Sequence, residues 1–232
     1  MNARPGRCAV CQSGPTSFAC GLNSRVQAVI GAETVTQAFQ RGQTVFLAGT
    51  PASALFVVHT GVIKIFRTGL GGEVQVIRLL GRGEILGYRP LLANEQYASS
   101  AEAVEDSTLC VLPATLIHGL LRDIPEFAIE LLGKLARELR VSEDLMMSLL
   151  NHPVRQRAAR LLLALHEDSR GAPDPMVLQT RHLRRQDMAR MIGTTPETFS
   201  RVLRDFSQRK VVAISRDQIR ILDPDLLKHV AG

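Results

Sequence analysis

Residues 184–224 read RRQDMARMIGTTPETFSRVLRDFSQRKVVAISRDQIRILDP. Two apolar stripes of helical spacing stand on either side of a turn. Met188 and Ile192 share one face of a short helix over Asp187–Ile192. Phe199, Leu203 and Phe206 form the buried stripe of a second helix. Between them Gly193 can take a positive φ, Thr195 can cap the next helix, and Pro196 suits its first position. A helix pair of this size enters a DNA major groove as a helix-turn-helix.

The outer face of the second helix carries Glu197, Ser200, Arg201 and Arg204, at spacings that bring them together. Arg201 can donate two hydrogen bonds to O6 and N7 of a guanine. Glu197 can accept from cytosine N4 and steady Arg201, and Ser200 can reach a neighbouring base or phosphate. Val211–Ile214 and Gln218–Leu222, joined around Arg216 and Asp217, read as a hairpin, that is, a wing. A purely structural helical hairpin would not need this polar face, the wing or the local basic charge.

Charge follows the same division. Residues 1–150 carry 13 Lys and Arg against 13 Asp and Glu, whereas residues 151–232 carry 15 against 9. The net charge of +6 therefore sits in the C-terminal part, where phosphate contacts would need it. Apolar residues make up 45% of the 232-residue chain and aromatic residues only 4%, with no Trp. That content can supply real cores, while an aromatic-rich binding module is not indicated. No run approaches about 18 uninterrupted apolar residues, and MNARPGRCAV lacks the basic start and apolar core of a signal peptide. The expectation is a cytoplasmic protein with no membrane span.

Upstream, TVFLAG, ALFVVHTG, VIKIFRTG, EVQVIRLLG and STLCVLP between Thr44 and Leu112 read as short strands broken by glycines. Many short strands with no long helix between them predict a roll or barrel. The texture changes at Pro125. From there to Leu150 the only glycine is Gly133, and Leu132, Leu139 and Met146 recur every seven residues. That seam predicts a long amphipathic helix suited to pairing with a second copy. Asn151-His152-Pro153 should end it, a helix over Val154–His166 should follow, and EDSRGAPDP at 167–175 reads as a loop.

Four cysteines stand at 8, 11, 20 and 110. Four thiolates complement a cubane [4Fe–4S] cluster, and Cys8-x2-Cys11 suits adjacent ligands. A zinc site built from all four cysteines, a thiol–disulfide switch and unconnected buried thiols are the alternatives. Six histidines, His59, His118, His152, His166, His182 and His229, show no paired spacing that would single out a haem ligand. No nucleophile–base motif, Walker loop or dinucleotide fingerprint supports an enzyme, although a cluster-bearing enzyme or electron-transfer protein is the reading from a different class.

RGQTVFLAG, ALFVVHTGVIKIF, GEILG and DSTLCVLP resemble the sensory roll of the Crp/Fnr family of bacterial regulators, and PETFSRVLRDF resembles its recognition helix. The resemblance covers nearly the whole chain. It implies an α+β fold: a cysteine-bearing segment over 1–30, a cyclic-nucleotide-binding-like β-roll over 31–124, a dimerisation helix over 125–150 and a winged helix-turn-helix over 151–232. It also implies a homodimer on a double-stranded DNA palindrome, with RNA polymerase as a partner. Glu197, Ser200 and Arg201 resemble the branch that reads TTGAT-like half-sites. Pro196 departs from that pattern near the outer bases.

The oxygen-sensing Fnr branch resembles the cysteine arrangement. In that branch Cys8, Cys11, Cys20 and Cys110 would hold one oxygen-labile [4Fe–4S] cluster that licenses dimerisation and DNA binding. The eight-residue gap from Cys11 to Cys20 is longer than in the best-known member. The cyclic-nucleotide branch holds its phosphate with an Arg-Ser or Arg-Thr pair, where this chain has Tyr97-Ala98-Ser99-Ser100-Ala101. With Ala98 at the arginine position, the resemblance argues against cyclic AMP as effector.

Overall fold

The computed structural model describes residues 4–5, 22, 24–69, 71–168, 177–179, 183–215 and 218–232. The chain divides into two compact units, Met1–Glu138 and Leu139–Gly232. In chain order the first contains β1 (Arg4–Pro5), α1 (Ser24–Glu33), β2 (Val35–Phe39), β3 (Thr44–Phe46), β4 (Ala54–Thr60), β5 (Ile63–Thr68) and β6 (Val74–Leu80). It continues with β7 (Ile85–Leu86), α2 (Tyr88–Ala93), β8 (Ser100–Ala103), β9 (Ser107–Pro113) and α3 (Ala114–Asp123). The helix α4 (Pro125–Asn151) begins in the first unit and ends in the second. The second unit then holds α5 (Val154–Asp168), β10 (Val177–Gln179), α6 (Arg185–Met191), α7 (Pro196–Gln208), β11 (Val212–Ile214), β12 (Gln218–Ile221) and α8 (Pro224–Ala231).

The strands of the first unit make two antiparallel sheets, ordered β1-β2-β9-β4-β7 and β3-β8-β5-β6. Strand alternation explains how one sheet serves two cores. On β4, Phe56 and Val58 face the interior of the roll with Ile63, Leu80 and Leu109. Leu55 and Val57 face the other way, into a cluster covered by Val26 and Ile30 of α1, Ile117 and Leu120 of α3, and Phe127 and Leu131 of α4. Strand β9 repeats the pattern, with Leu109 inward and Cys110 and Leu112 toward the helices. Hence the near-continuous apolar runs of β4 and β9: both faces are buried. The β4–β5 turn needs its glycine twice over. Gly61 has φ +86°, and a Cβ there would lie 2.7 Å from Ser107 Cα.

In the second unit α5 packs against α7 and α8, and β11 and β12 form an antiparallel hairpin extended by β10. Its buried residues include Ala158, Leu162, Met188, Phe199, Leu203, Phe206, Ile219 and Leu227. The roll, the long helix and the winged helix-turn-helix all match the expected α+β class. The long helix runs one residue past its predicted end, and α5 runs to Asp168 rather than His166. Strands β1, β2, β7, β8 and β10 and helices α1, α2, α3 and α8 lie outside the predicted elements. The predicted hairpin tip at Arg216 and Asp217 lies outside the described residues.

Candidate functional site: a DNA-reading helix, a cavity and a buried cysteine

Helix α7 begins as its sequence requires. Gly193 takes φ +63°, with its N–H donating to the Arg190 carbonyl at 3.0 Å. A Cβ at this position would come within 2.9 Å of Leu149 Cδ2, so glycine also permits a close approach. Thr195 is the N-cap, its hydroxyl accepting from the Thr198 N–H at 3.2 Å, and Pro196 occupies the first turn. Phe199, Leu203 and Phe206 are buried, so the opposite face of the helix must point outward.

That outward face carries the predicted residues together. Glu197, Arg201 and Arg204 are exposed and Ser200 is half-buried. Among the described residues, no ion pair engages Arg201 or Arg204. Glu197 sits fully in solvent, yet its own backbone N–H and the Thr195 hydroxyl hold its carboxyl below the ordinary range. Such a face offers donors and an acceptor to base edges while remaining ionised at neutral pH.

Sequence reading missed what braces this helix from behind. The Arg155 guanidinium of α5 lies 5.7 Å from the Phe206 ring centroid and 3.4 Å from Asp205. Asp205 in turn pairs with Arg209 at 2.9 Å. The Asp205–Arg209 spacing is a visible i,i+4 pair, but nothing local points to Arg155, fifty residues upstream.

In the roll, a cavity of about 480 Å³ is lined by Phe46, Ile65, Leu80 and Tyr97 together with Arg67, Arg78, Tyr88, Arg89, Ala98 and Ser99. Phe46 and Tyr97 stack at 3.9 Å between centroids. Ala98 does stand in the wall without an arginine beside it in sequence. The cavity nevertheless holds three arginines from other strands and helices, so it is less poor in positive charge than residues 97–101 suggested. Arg67 Nε donates to Ser99 Oγ at 3.2 Å, and Arg78 pairs with Glu84 at 3.3 Å.

Cys110 is 8% exposed on the helical side of β9, in the cluster that includes Leu22, Val26 and Ile30. It lies opposite Thr36 of β2 on one side and Val57 of β4 on the other, and Arg4 of β1 lies opposite Thr36. Cys8, Cys11 and Cys20 lie outside the described residues. Among the described residues, no group of three or more His, Cys, Asp or Glu side chains gathers as for a metal ion. The histidines that are described therefore form no such site among themselves.

Residues 36–123 match the model of a cyclic nucleotide-binding domain, and residues 156–230 match a Crp-like helix-turn-helix domain. The cyclic AMP receptor protein of Thermus thermophilus is 34% identical over 83% of this chain and 86% of that relative. The chain belongs to the Crp/Fnr family. Another family member, the fumarate and nitrate reduction regulatory protein of Vibrio cholerae, is 25% identical over 83% of this chain and 77% of its own length. The solved structure of FixK2 from Bradyrhizobium japonicum shares the fold, with a TM-score of 0.76 at 20% identity over 86% of this chain and 98% of that one. As a Crp/Fnr member with a Crp-like helix-turn-helix, the protein is a DNA-binding transcription regulator; its relatives are regulators rather than enzymes. No described helix is long and apolar enough to cross a membrane.

Proposed function

We propose that the protein is an oxygen-responsive regulator that binds palindromic, TTGAT-like half-sites as a homodimer when Cys8, Cys11, Cys20 and Cys110 hold a [4Fe–4S] cluster. One observation carries the reading: both flanks of the cysteine-bearing segment are anchored beside Cys110. Leu22, two residues beyond Cys20, shares a buried cluster with Cys110. Arg4, four residues before Cys8, lies in the same cross-strand row, two strands away, or about 10 Å. Four thiolates are the donor set such a cluster takes. The chemistry it would supply here is an oxygen-labile cross-link between the N-terminal segment and the roll.

The chain's own residues give that cross-link mechanical reach. Cys110 shares its cluster with Ile117 of α3 and with Phe127 and Leu131 at the start of α4. Close packing transmits small displacements, so a restraint near Cys110 bears on the root of α4. Along α4, Leu132, Leu139 and Met146 are each 60% exposed or more, an apolar seam that a second copy would cover. Dimerisation would bring two α7 helices to successive major grooves, roughly 34 Å apart. Cytoplasmic residence and contact with RNA polymerase go with this role.

Cyclic AMP is not the effector in this reading, despite the name of the Thermus relative. Ala98 and Ser99 in the cavity wall bring no arginine to the place where the cyclic-nucleotide branch holds its phosphate. Saturable calorimetric binding of cyclic AMP at micromolar concentration would overturn that part. For the cluster, anaerobic purification should yield about four iron and four sulfide per monomer, with each Cys→Ser change lowering the content. One zinc without sulfide would make the site structural. Full cluster retention in Cys110→Ser would break the four-ligand set, and DNA affinity unchanged on cluster loss would end the sensor role.

A further inference from the structure

Four groups of the first unit converge on one carboxylate of α4. Arg78 Nη1 of β6 lies 2.9 Å from Glu138 Oε1, Lys134 Nζ lies 3.1 Å from the same oxygen, and Arg89 Nε of α2 lies 3.7 Å from Oε2. The Tyr88 hydroxyl adjoins Glu138 as well. The Glu138 side chain is only 13% exposed and Lys134 19%, so water screens the carboxylate poorly, whereas Arg78 at 37% and Arg89 at 61% keep much of their surface in solvent. Burial alone would push the carboxyl up. Tyr88, Arg78 and Lys134 together hold it at about 2 instead, as expected for a carboxylate held by several positive groups.

Three of the four, Arg78, Tyr88 and Arg89, also line the roll cavity. Two of its three arginines are therefore turned onto an acid supplied by the long helix. Arg78 has a second carboxylate in Glu84, and Arg67 and Glu95 also stand in the wall, so with Glu138 released three guanidiniums would face two acids and leave the wall net positive. Arg78 and Arg89, which face Glu138, belong to β6 and α2 and not to residues 97–101, where a cyclic-nucleotide regulator keeps its phosphate arginine.

We propose that Glu138 is an internal counter-anion that latches α4 to the roll, and that an oxyanion-bearing ligand enters the cavity by displacing it from Arg78 and Arg89. The ligand and Glu138 compete for the same guanidiniums, so occupancy of the cavity and the Glu138 contact exclude each other, while Phe127 and Leu131 keep the start of α4 packed in either state. A ligand that binds only the unlatched state shifts the population of α4 by its differential affinity. The latch does not involve the cysteines, so its failure would leave the cluster reading untouched.

The test uses the full chain without cluster and inorganic phosphate as the probe. Glu138→Gln should bind phosphate at least tenfold more tightly than wild type, and adding Arg78→Ala should abolish the gain. Amides of α4 around residues 132–138 should exchange faster in Glu138→Gln. Equal phosphate affinity in wild type and Glu138→Gln overturns the proposal, as does a gain that survives Arg78→Ala. Wild type supplies a second test should the variant fail to fold. At matched ionic strength phosphate should speed exchange of those amides relative to chloride, and identical exchange in the two salts overturns the latch.

Discussion

On α7 the guanidiniums of Arg201 and Arg204 stand in solvent, and no ion pair among the described residues engages them. In the roll, Arg78 and Arg89 turn onto Glu138 and line a cavity. The same side chain thus does two kinds of work. An exposed arginine keeps its donors for a partner that arrives from outside, and its loss should weaken binding while sparing the fold. An arginine neutralised within the protein holds elements together, and its loss should be felt in the fold or in the position of α4. Variants in the two regions should therefore separate cleanly into binding effects and stability effects.

The largest effect belongs to the exposed face. Arg201→Ala should cost about 1–3 kcal/mol at each half-site, and the two half-sites of a dimer should lose it together. Binding to a palindrome should weaken by between roughly thirtyfold and twenty-thousandfold, with relaxed preference at the guanine and an unchanged melting temperature. Titration of single-base operator variants measures this. Equal losses on specific and random DNA would mean that Arg201 only meets phosphates.

Leu139→Asp comes next. Leu139 is 61% exposed on α4, so the free subunit should tolerate the change. Against an apolar partner surface the carboxylate would be buried unpaired, and association should weaken about a hundredfold. Sedimentation of both proteins at several concentrations reads the shift, and an unchanged mass would take this seam out of the interface. Neither substitution should disturb the roll.

The two regions also differ in how far their sequence revealed them. The recognition helix was legible because its determinants are local. Gly193, Thr195 and Pro196 are closely spaced turn chemistry, and Phe199, Leu203 and Phe206 follow the helical period. The roll strands were legible wherever both faces are buried, as on β4 and β9. Helix α3 and strand β8 escaped because neither announces itself by a long periodic run: SAEA in β8 is small and polar. The charges around Glu138 escaped for a different reason. Arg78 and Glu138 are sixty residues apart, and only the packing of α4 on the roll joins them. The brace from Arg155 to Phe206 has the same character. Sequence showed which charges exist, and tertiary contact decided which are neutralised.

Acid pH probes the charges of the roll directly. The Glu138 carboxyl is ordinarily near 4.5 and stands at about 2 in the folded protein. A depressed carboxylate stabilises the fold above its unfolded pKa, and that contribution is lost as the pH falls toward the folded one. Wild type should therefore lose stability relative to Glu138→Gln between about pH 4.5 and 2. The size should be at most about 3 kcal/mol, the value that corresponds to the full shift. Denaturation of both proteins across this window gives the difference, which cancels the carboxylates they share. Parallel curves would show that Glu138 gains nothing from its neighbours.

The smallest effect tests how local the DNA-reading region is. Thr195 accepts from the Thr198 N–H and also holds down the carboxyl of Glu197, so one hydroxyl serves both the helix start and the acid proposed to read a base. Thr195→Ala should cost about 1 kcal/mol of stability, as loss of an N-cap does, while Thr195→Ser should keep most of it. In the alanine variant the Glu197 carboxyl should also move up toward its ordinary range, which a pH titration followed by carbon NMR of that side chain would record. Glu197 is wholly exposed, so this shift should leave stability alone and show itself only in the acid range, where an earlier protonation would remove the acceptor proposed for cytosine. If the Ala and Ser variants melt alike and Glu197 titrates unchanged in both, the start of α7 is set by Gly193, Pro196 and the packing of Phe199. The recognition helix would then depend on its core contacts as the roll does, and the contrast between the two regions would narrow to their arginines.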